Sequence, residues 1–250
     1  MWIIKLAWRN LWRNKRRTII TISSICFGLV LALVFIGLGD GTYGTMIDSA
    51  ARLGSGHITL EHSAYRTSLL TRLTLRSTDE IVNQFDTIEE IEGWAPRILG
   101  QAMLSTSYGS VGTAFIGVEP EREKENTLFI DKIKEGSYLK NTDGRGVLIG
   151  RKMAERLKAS IGSKMVITAN NLHGEIASEL LRVVGIFETG SEMIDGYVCQ
   201  ISLKRAQNLL AMQEEEITQL AVFITNQRDT DRVITCLLYT SDAADDNRVV

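Results

Sequence analysis

Residues 18 to 39, TIITISSICFGLVLALVFIGLG, form 22 consecutive positions with no charge, no proline and no amide side chain. At about 1.5 Å rise per residue, roughly 20 apolar residues cross the ~30 Å hydrocarbon core of a bilayer. A helix in a soluble core is usually apolar on one stripe only, whereas this one would be apolar all round. Thr21, Ser23 and Ser24 fit such a span, because hydroxyls bond back to helix carbonyls. The run is read as a transmembrane helix over 18–39, with helix-compatible spacing that continues to about Leu53 as a stalk. A cleaved signal peptide is the rival reading. The run exceeds the roughly 7–15 residues of a signal h-region, and GLGDGTYGTM after it offers no A-x-A-like cleavage site.

Charge sets the orientation. Residues 1–17 carry Lys5, Arg9, Arg13, Lys15, Arg16 and Arg17 and no acid, which leaves 22 basic against 30 acidic residues in the remainder. Basic residues before a span and acids after it place the N-terminus in the cytoplasm and everything from about Asp40 outside. On a helical wheel Ile4, Ala7, Trp8, Leu11 and Trp12 fall on one side, and Lys5, Arg9, Arg13, Arg16 and Arg17 on the other; Trp2, Leu6 and Lys15 break the pattern. Such a helix suits the membrane interface, with tryptophan at headgroup depth and arginine reaching phosphate. A simple positive-inside anchor is the plainer alternative. Nucleic acid is excluded as this arm's partner, because the span begins directly after Arg17.

Residues 54–235 read as one α+β domain. His57–Leu60 alternates as a strand. STDEIVNQF carries a capping-box pattern, Ser77-x-x-Glu80, and reads as a short helix. Trp94–Leu104 and 111–118 read as two strands joined by the turn Ser107–Ser110. GVLIG is a buried-strand run, Arg151–Lys158 a helix, and Lys164–Thr168 a strand. Further on, 179–187 and 196–201 read as a hairpin about Thr189-Gly190. A helix capped by Ser202 follows, then a strand over 217–224 and a helix opening at DTDRVI. No βαβ regularity is visible, hence α+β.

Catalytic patterns are missing. No Gly-Lys pair occurs anywhere, so no GxxxxGK[ST] loop exists to bind ATP phosphates. There is no G-x-S-x-G. His57 and His62 are five apart, which closes on a metal neither along a strand nor along a helix. Glu188, Glu192 and Asp195 read as an exposed acidic turn, and Glu214–Glu216 as a solvated loop. Cys26, Cys199 and Cys236 suggest no structural disulfide. The chain is expected to be no enzyme and to bind no cofactor or metal of its own.

The opening LAWRNLWRNKRRTIITISSI resembles permeases of the macrolide-exporter and lipoprotein-release branch of ABC transporters, the MacB, LolC–LolE and FtsX-like group of mechanotransmission type. The external blocks are similar as well: the strand–glycine–helix–glycine–strand unit over 147–168, the Gly-Ile-Phe-x-Thr-Gly-like corner at 185–190 and the Ser-Leu-x-x-Ala-Gln-like helix start at 202–207. The resemblance runs from about residue 2 to 235. It implies an inner-membrane protein with an elbow helix over 1–17 and a MacB-like external domain. It further implies a cytoplasmic ABC ATPase that binds ATP as a separate subunit, and a second permease copy or paralogue. The cargo would be a lipoprotein, peptide or drug, with lipoprotein release favoured and regulation of a cell-wall hydrolase a further option. Trp8, Arg9, Trp12, Arg13, Arg16 and Arg17 would anchor the elbow in lipid and transmit force. The last stretch, CLLYTSDAADDNRVV (236–250), is too short and acidic for a second span and reads as a non-native tail, so the chain would be the N-terminal part of a longer permease. A single-pass anchored sensor or scaffold is the alternative from another class.

Overall fold

The structure, a computed structural model, describes residues 2, 8–9, 12–62, 74–75, 78–85, 88–140, 144–226, 229–241 and 247–249. It divides into two compact units, Met1–Asp48 and Ser49–Val250. Among the described residues one helix is long and apolar enough to cross a membrane: α1, Lys15–Leu53. Its 39 residues make a rod about 58 Å long. The large apolar side chains from Ile19 to Ile47 are exposed on every side. The hydroxyls behave as expected, with Thr21 Oγ1 donating to the Arg17 carbonyl and Ser24 Oγ to that of Ile20, both at 2.9 Å.

The second unit is built on one mixed sheet. Its strands are β1 (Ile58–His62), β2 (Ile91–Thr106), β3 (Gly109–Val118), β4 (Ile133–Gly136), β5 (Gly146–Gly150), β6 (Lys164–Asn170), β7 (Ile176–Phe187), β8 (Val198–Ser202), β9 (Gln219–Ile224) and β10 (Asn247–Val249). The helices are α2 (Thr78–Phe85), α3 (Pro120–Asn126), α4 (Arg151–Leu157), α5 (Glu192–Tyr197), α6 (Leu203–Leu210) and α7 (Thr230–Ser241). The path runs β10-β1-β9-β2-β3-β8-β5-β7-β4, and β6 pairs with both β2 and β7. Those pairings close a six-stranded ring, β2-β3-β8-β5-β7-β6. Period-2 alternation along its strands separates two sets of side chains. One set, including Leu104, Phe115, Ile149, Ile167, Leu181 and Cys199, forms the main core with α4 and α6. The other set meets a strap of chain at Phe129, Tyr138 and Leu139, which packs on Val118, Leu148 and Phe187. Beyond the strap this second face is open, and Met103, Val166 and Leu180 are exposed there.

The α+β class holds, and the expected elements are present over 58–62, 91–118, 146–170 and 219–224. Several details differ. Strands β7 and β8 are not a hairpin: α5 intervenes, and β5 lies between them, parallel to β7 and antiparallel to β8. Of the acids at that corner Glu188 and Glu192 are exposed as expected, but Asp195 is not, at 4% exposed. Its carboxylate accepts from Thr189 N and Oγ1, both at 2.8 Å, and from Gly190 N at 3.2 Å. These bonds fold the Thr189–Ser191 turn back on α5. Ser202 stands at the N-cap of α6 without capping it; its hydroxyl donates to the Gly144 carbonyl at 3.2 Å. Glu216 is buried rather than solvated and accepts from Gln213 N at 3.0 Å. Ser77 of the capping box lies outside the described residues. Helix α7 runs through Thr235 to Ser241, and Leu237 is 1% exposed in the main core.

Candidate functional site

Helix α1 has a different set of residues at each end. At its start Trp8, Arg9, Trp12 and Arg13 are helical, Asn14 makes a turn, and α1 begins at Lys15. The Trp8 and Trp12 rings lie on one side with centroids 6.3 Å apart. The Lys15 ammonium stands 6.0 Å from the Trp12 ring centroid, which explains why Lys15 departs from the basic face. Arg16 and Arg17 open α1, and with Trp12, Arg13, Ile20 and Thr21 they line one open hollow. All six residues singled out from sequence lie at or just before the start of α1. Trp8 and Trp12 are more than half exposed. Ile4, Lys5, Ala7 and Leu11 of the helical wheel lie outside the described residues.

The other end shows what sequence reasoning missed. A helix leaves its last carbonyls without partners, and here the domain supplies them. Arg97 on β2 donates through Nη1 to the Gly54 carbonyl. Thr127 Oγ1, just past α3, donates to the Arg52 carbonyl at 3.0 Å. Arg52 pairs with Glu92 at 2.6 Å, and Leu53 packs against the strap cluster. Gly56, at φ +91°, turns the chain into β1, where a Cβ would lie 3.1 Å from the Ala221 Cβ and the Val222 carbonyl. Only glycine combines that φ with that approach.

Arg97 is the hub of this clamp. It is 2% exposed, and Glu123 on α3 is 0% exposed. Its Nη2 donates to Oε1 at 2.6 Å and its Nε to Oε2 at 3.2 Å. Such a two-pronged pair is geometrically demanding. The Phe223 ring centroid lies 5.6 Å from the guanidinium carbon. The Tyr138 hydroxyl is buried without a hydrogen-bond partner. Burial first, and the Glu123 charge second, push its pKa well above the usual phenol value against the opposing effect of Arg97, so it stays neutral. The arrangement is a buried ion pair bonded to the end of α1. A charge inside the apolar strand WAPRILG and the Glu119-Pro120 helix start were the sequence signals for it.

These observations define a class: an α+β domain that follows a long apolar helix, whose end is hydrogen-bonded to Arg97 of a buried ion pair and to Thr127. The chain belongs to the MacB-like periplasmic core domain family, whose model matches residues 18–235. It is similar to the pyoverdine export ATP-binding/permease protein PvdT of Pseudomonas putida, 24% identical over 94% of this chain. The chain spans 36% of the length of that relative. The fold matches the periplasmic region of MacB from Actinobacillus actinomycetemcomitans with a TM-score of 0.53 at 15% identity, over 77% of this chain and 87% of that one. It matches the extracellular domain of the ABC-type transporter YknZ from Gram-positive bacteria with a TM-score of 0.52 at 11% identity, over 77% and 98%. The family read from the sequence blocks is the family found.

Proposed function

We propose that this chain serves an ABC transporter as the part that carries motion from the cytoplasmic face of the membrane to an external, cargo-handling domain. The elbow sits on the cytoplasmic leaflet, α1 crosses, and the body stands outside. ATP hydrolysis belongs to a nucleotide-binding unit outside these 250 residues, since this stretch has no phosphate-binding loop. A second permease copy or paralogue completes the machine. The observation that carries this reading is the continuity of α1 from the basic elbow to the Arg97–Glu123 clamp. A helix bonded into the domain at its end passes on displacement; a flexible tether does not.

The cargo is an extracytoplasmic molecule. Lipoprotein release is supported by the external-domain sequence blocks, while the name of the relative PvdT supports export of a small molecule. Two measurements test the reading. Single cysteines at Arg9 and Tyr108, with Cys26, Cys199 and Cys236 replaced, should react with an impermeant thiol reagent from opposite sides of the membrane. A cytoplasmic ABC ATPase should co-purify with the membrane protein and be lost when Arg13, Arg16 and Arg17 are all changed to Glu. Labelling of both cysteines from one side, or recovery of the protein free in solution, would overturn it.

A further inference from the structure

Apart from both ends of α1, a hollow of about 380 Å³ opens where β5 and β7 meet the segment from Ser137 to Lys140. That size lies in the roughly 300–1,000 Å³ range of small-molecule sites. Its surface is mostly apolar, with Tyr138, Leu139, Gly146 and Val184 among its walls. Three cations line it, Lys140, Arg145 and Arg182, and among the described residues no acid does. Arg182 Nη1 donates to the carbonyl of Gly162 at 2.9 Å, a neutral acceptor that leaves its charge uncompensated.

Next to it, Lys164 on β6 stands directly opposite Arg182 on β7, and both are exposed. Like charges facing each other across a strand pair are destabilising. The alternating pattern puts Val166, Thr168 and Asn170 on the same face of β6, and Ser178 and Leu180 on that of β7. None of these is acidic. Yet the chain beyond residue 17 holds more acids than bases, 30 against 22. Three cations lining an apolar hollow and a fourth beside it, with no acid among the described lining residues, are therefore a local departure that an anion would relieve.

We propose that this hollow binds an anionic group, a carboxylate or phosphate ester, carried on an apolar body. The guanidinium forks of Arg145 and Arg182 suit two-oxygen anions, Lys140 adds a mobile charge, and the apolar walls take the attached carbon chain. The ligand is either a soluble amphiphile or the headgroup of an anionic lipid, two sources with one chemistry. The inference is independent of the transport reading, because binding needs neither ATPase nor cargo.

The test uses the full chain in nanodiscs of zwitterionic lipid, titrated calorimetrically with hexyl phosphate against empty discs. Saturable binding is expected, weakened about tenfold by Arg145→Glu and by Lys140→Glu, as the loss of a charge-assisted contact implies. Both side chains are exposed, so at least one variant should keep the wild-type melting curve. Binding should also weaken as salt rises from about 50 to 300 mM, and hexyltrimethylammonium should not compete. If discs containing anionic lipid block hexyl phosphate, the occupant is a headgroup; if they do not, it is a soluble amphiphile. Absence of saturable binding, or equal affinity in a folded Arg145→Glu or Lys140→Glu chain, would overturn the proposal.

Discussion

The two ends of helix α1 differ in their physics. At the N-terminal end Trp8, Trp12, Arg13, Arg16 and Arg17 lie exposed, and a contact of such a cation with an anionic surface would be worth about 1 kcal/mol and be screened by salt. At the clamp, one arginine and one glutamate are fully buried, and removing either leaves a charge stranded in a low dielectric. The elbow is therefore a sum of small, replaceable contributions, whereas the clamp depends on one irreplaceable pair. The proposed transmission of motion depends on the domain end, which must not slip.

Four experiments bear on that contrast, taken from the largest expected effect to the smallest. Arg97→Met should cost the domain about 3–5 kcal/mol by denaturant melting, and Arg97→Met with Glu123→Leu should cost far less than the two single changes combined. Additive losses would show that the pair is not coupled. Changing Arg13, Arg16 and Arg17 together to Glu should invert or cripple insertion while moving the domain's melting midpoint by less than about 0.5 kcal/mol equivalent. A large drop in domain stability would erase the distinction between the ends.

The third experiment concerns pH. The Cys199 thiol lies at 0% exposure, and burial raises its pKa from 9.0 to about 12, opposed only by its contact with Thr113. The unfolded chain loses this proton first as pH rises, so its stabilising effect is complete below pH 9 and disappears as pH approaches about 12. Cys199→Ala should flatten that part of the alkaline stability curve, and an unchanged slope would contradict the assignment. The smallest effect is expected at Gln200, which is 1% exposed with neither amide atom paired. Gln200→Leu should raise stability by about 1 kcal/mol, because an unpaired buried amide is removed; a loss of stability would mean that the amide has a partner in solution.

The same contrast explains what was legible in the chain. The apolar helix and the pairing of Trp8 with Trp12 rest on composition and on a repeat of a few residues, so both can be read directly. The clamp rests on pairing at a distance. Arg97 and Glu123 are brought together by β2 and α3, and Gly54 joins them through the end of α1. No local pattern encodes that. The corner after Phe187 misled for a related reason. Two period-2 runs around Thr189-Gly190 look like a hairpin, but β5 fills the place between β7 and β8, and Asp195 turns the chain inward instead. Glu216 and Ser202 were misread because their partners come from chain folding rather than from their neighbours in sequence.

In the proposed mechanism, motion of α1 reaches the domain through the clamp. The direct test reconstitutes the whole transporter with its ATPase and compares wild type with a chain carrying both Arg97→Met and Glu123→Leu, which keeps the site filled but unlocks Gly54. Cargo moved per ATP hydrolysed should fall about tenfold while the ATPase rate stays within about twofold, the signature of a lost coupling step rather than a lost fold. Unchanged cargo movement per ATP in that variant, with the domain folded, would contradict the account.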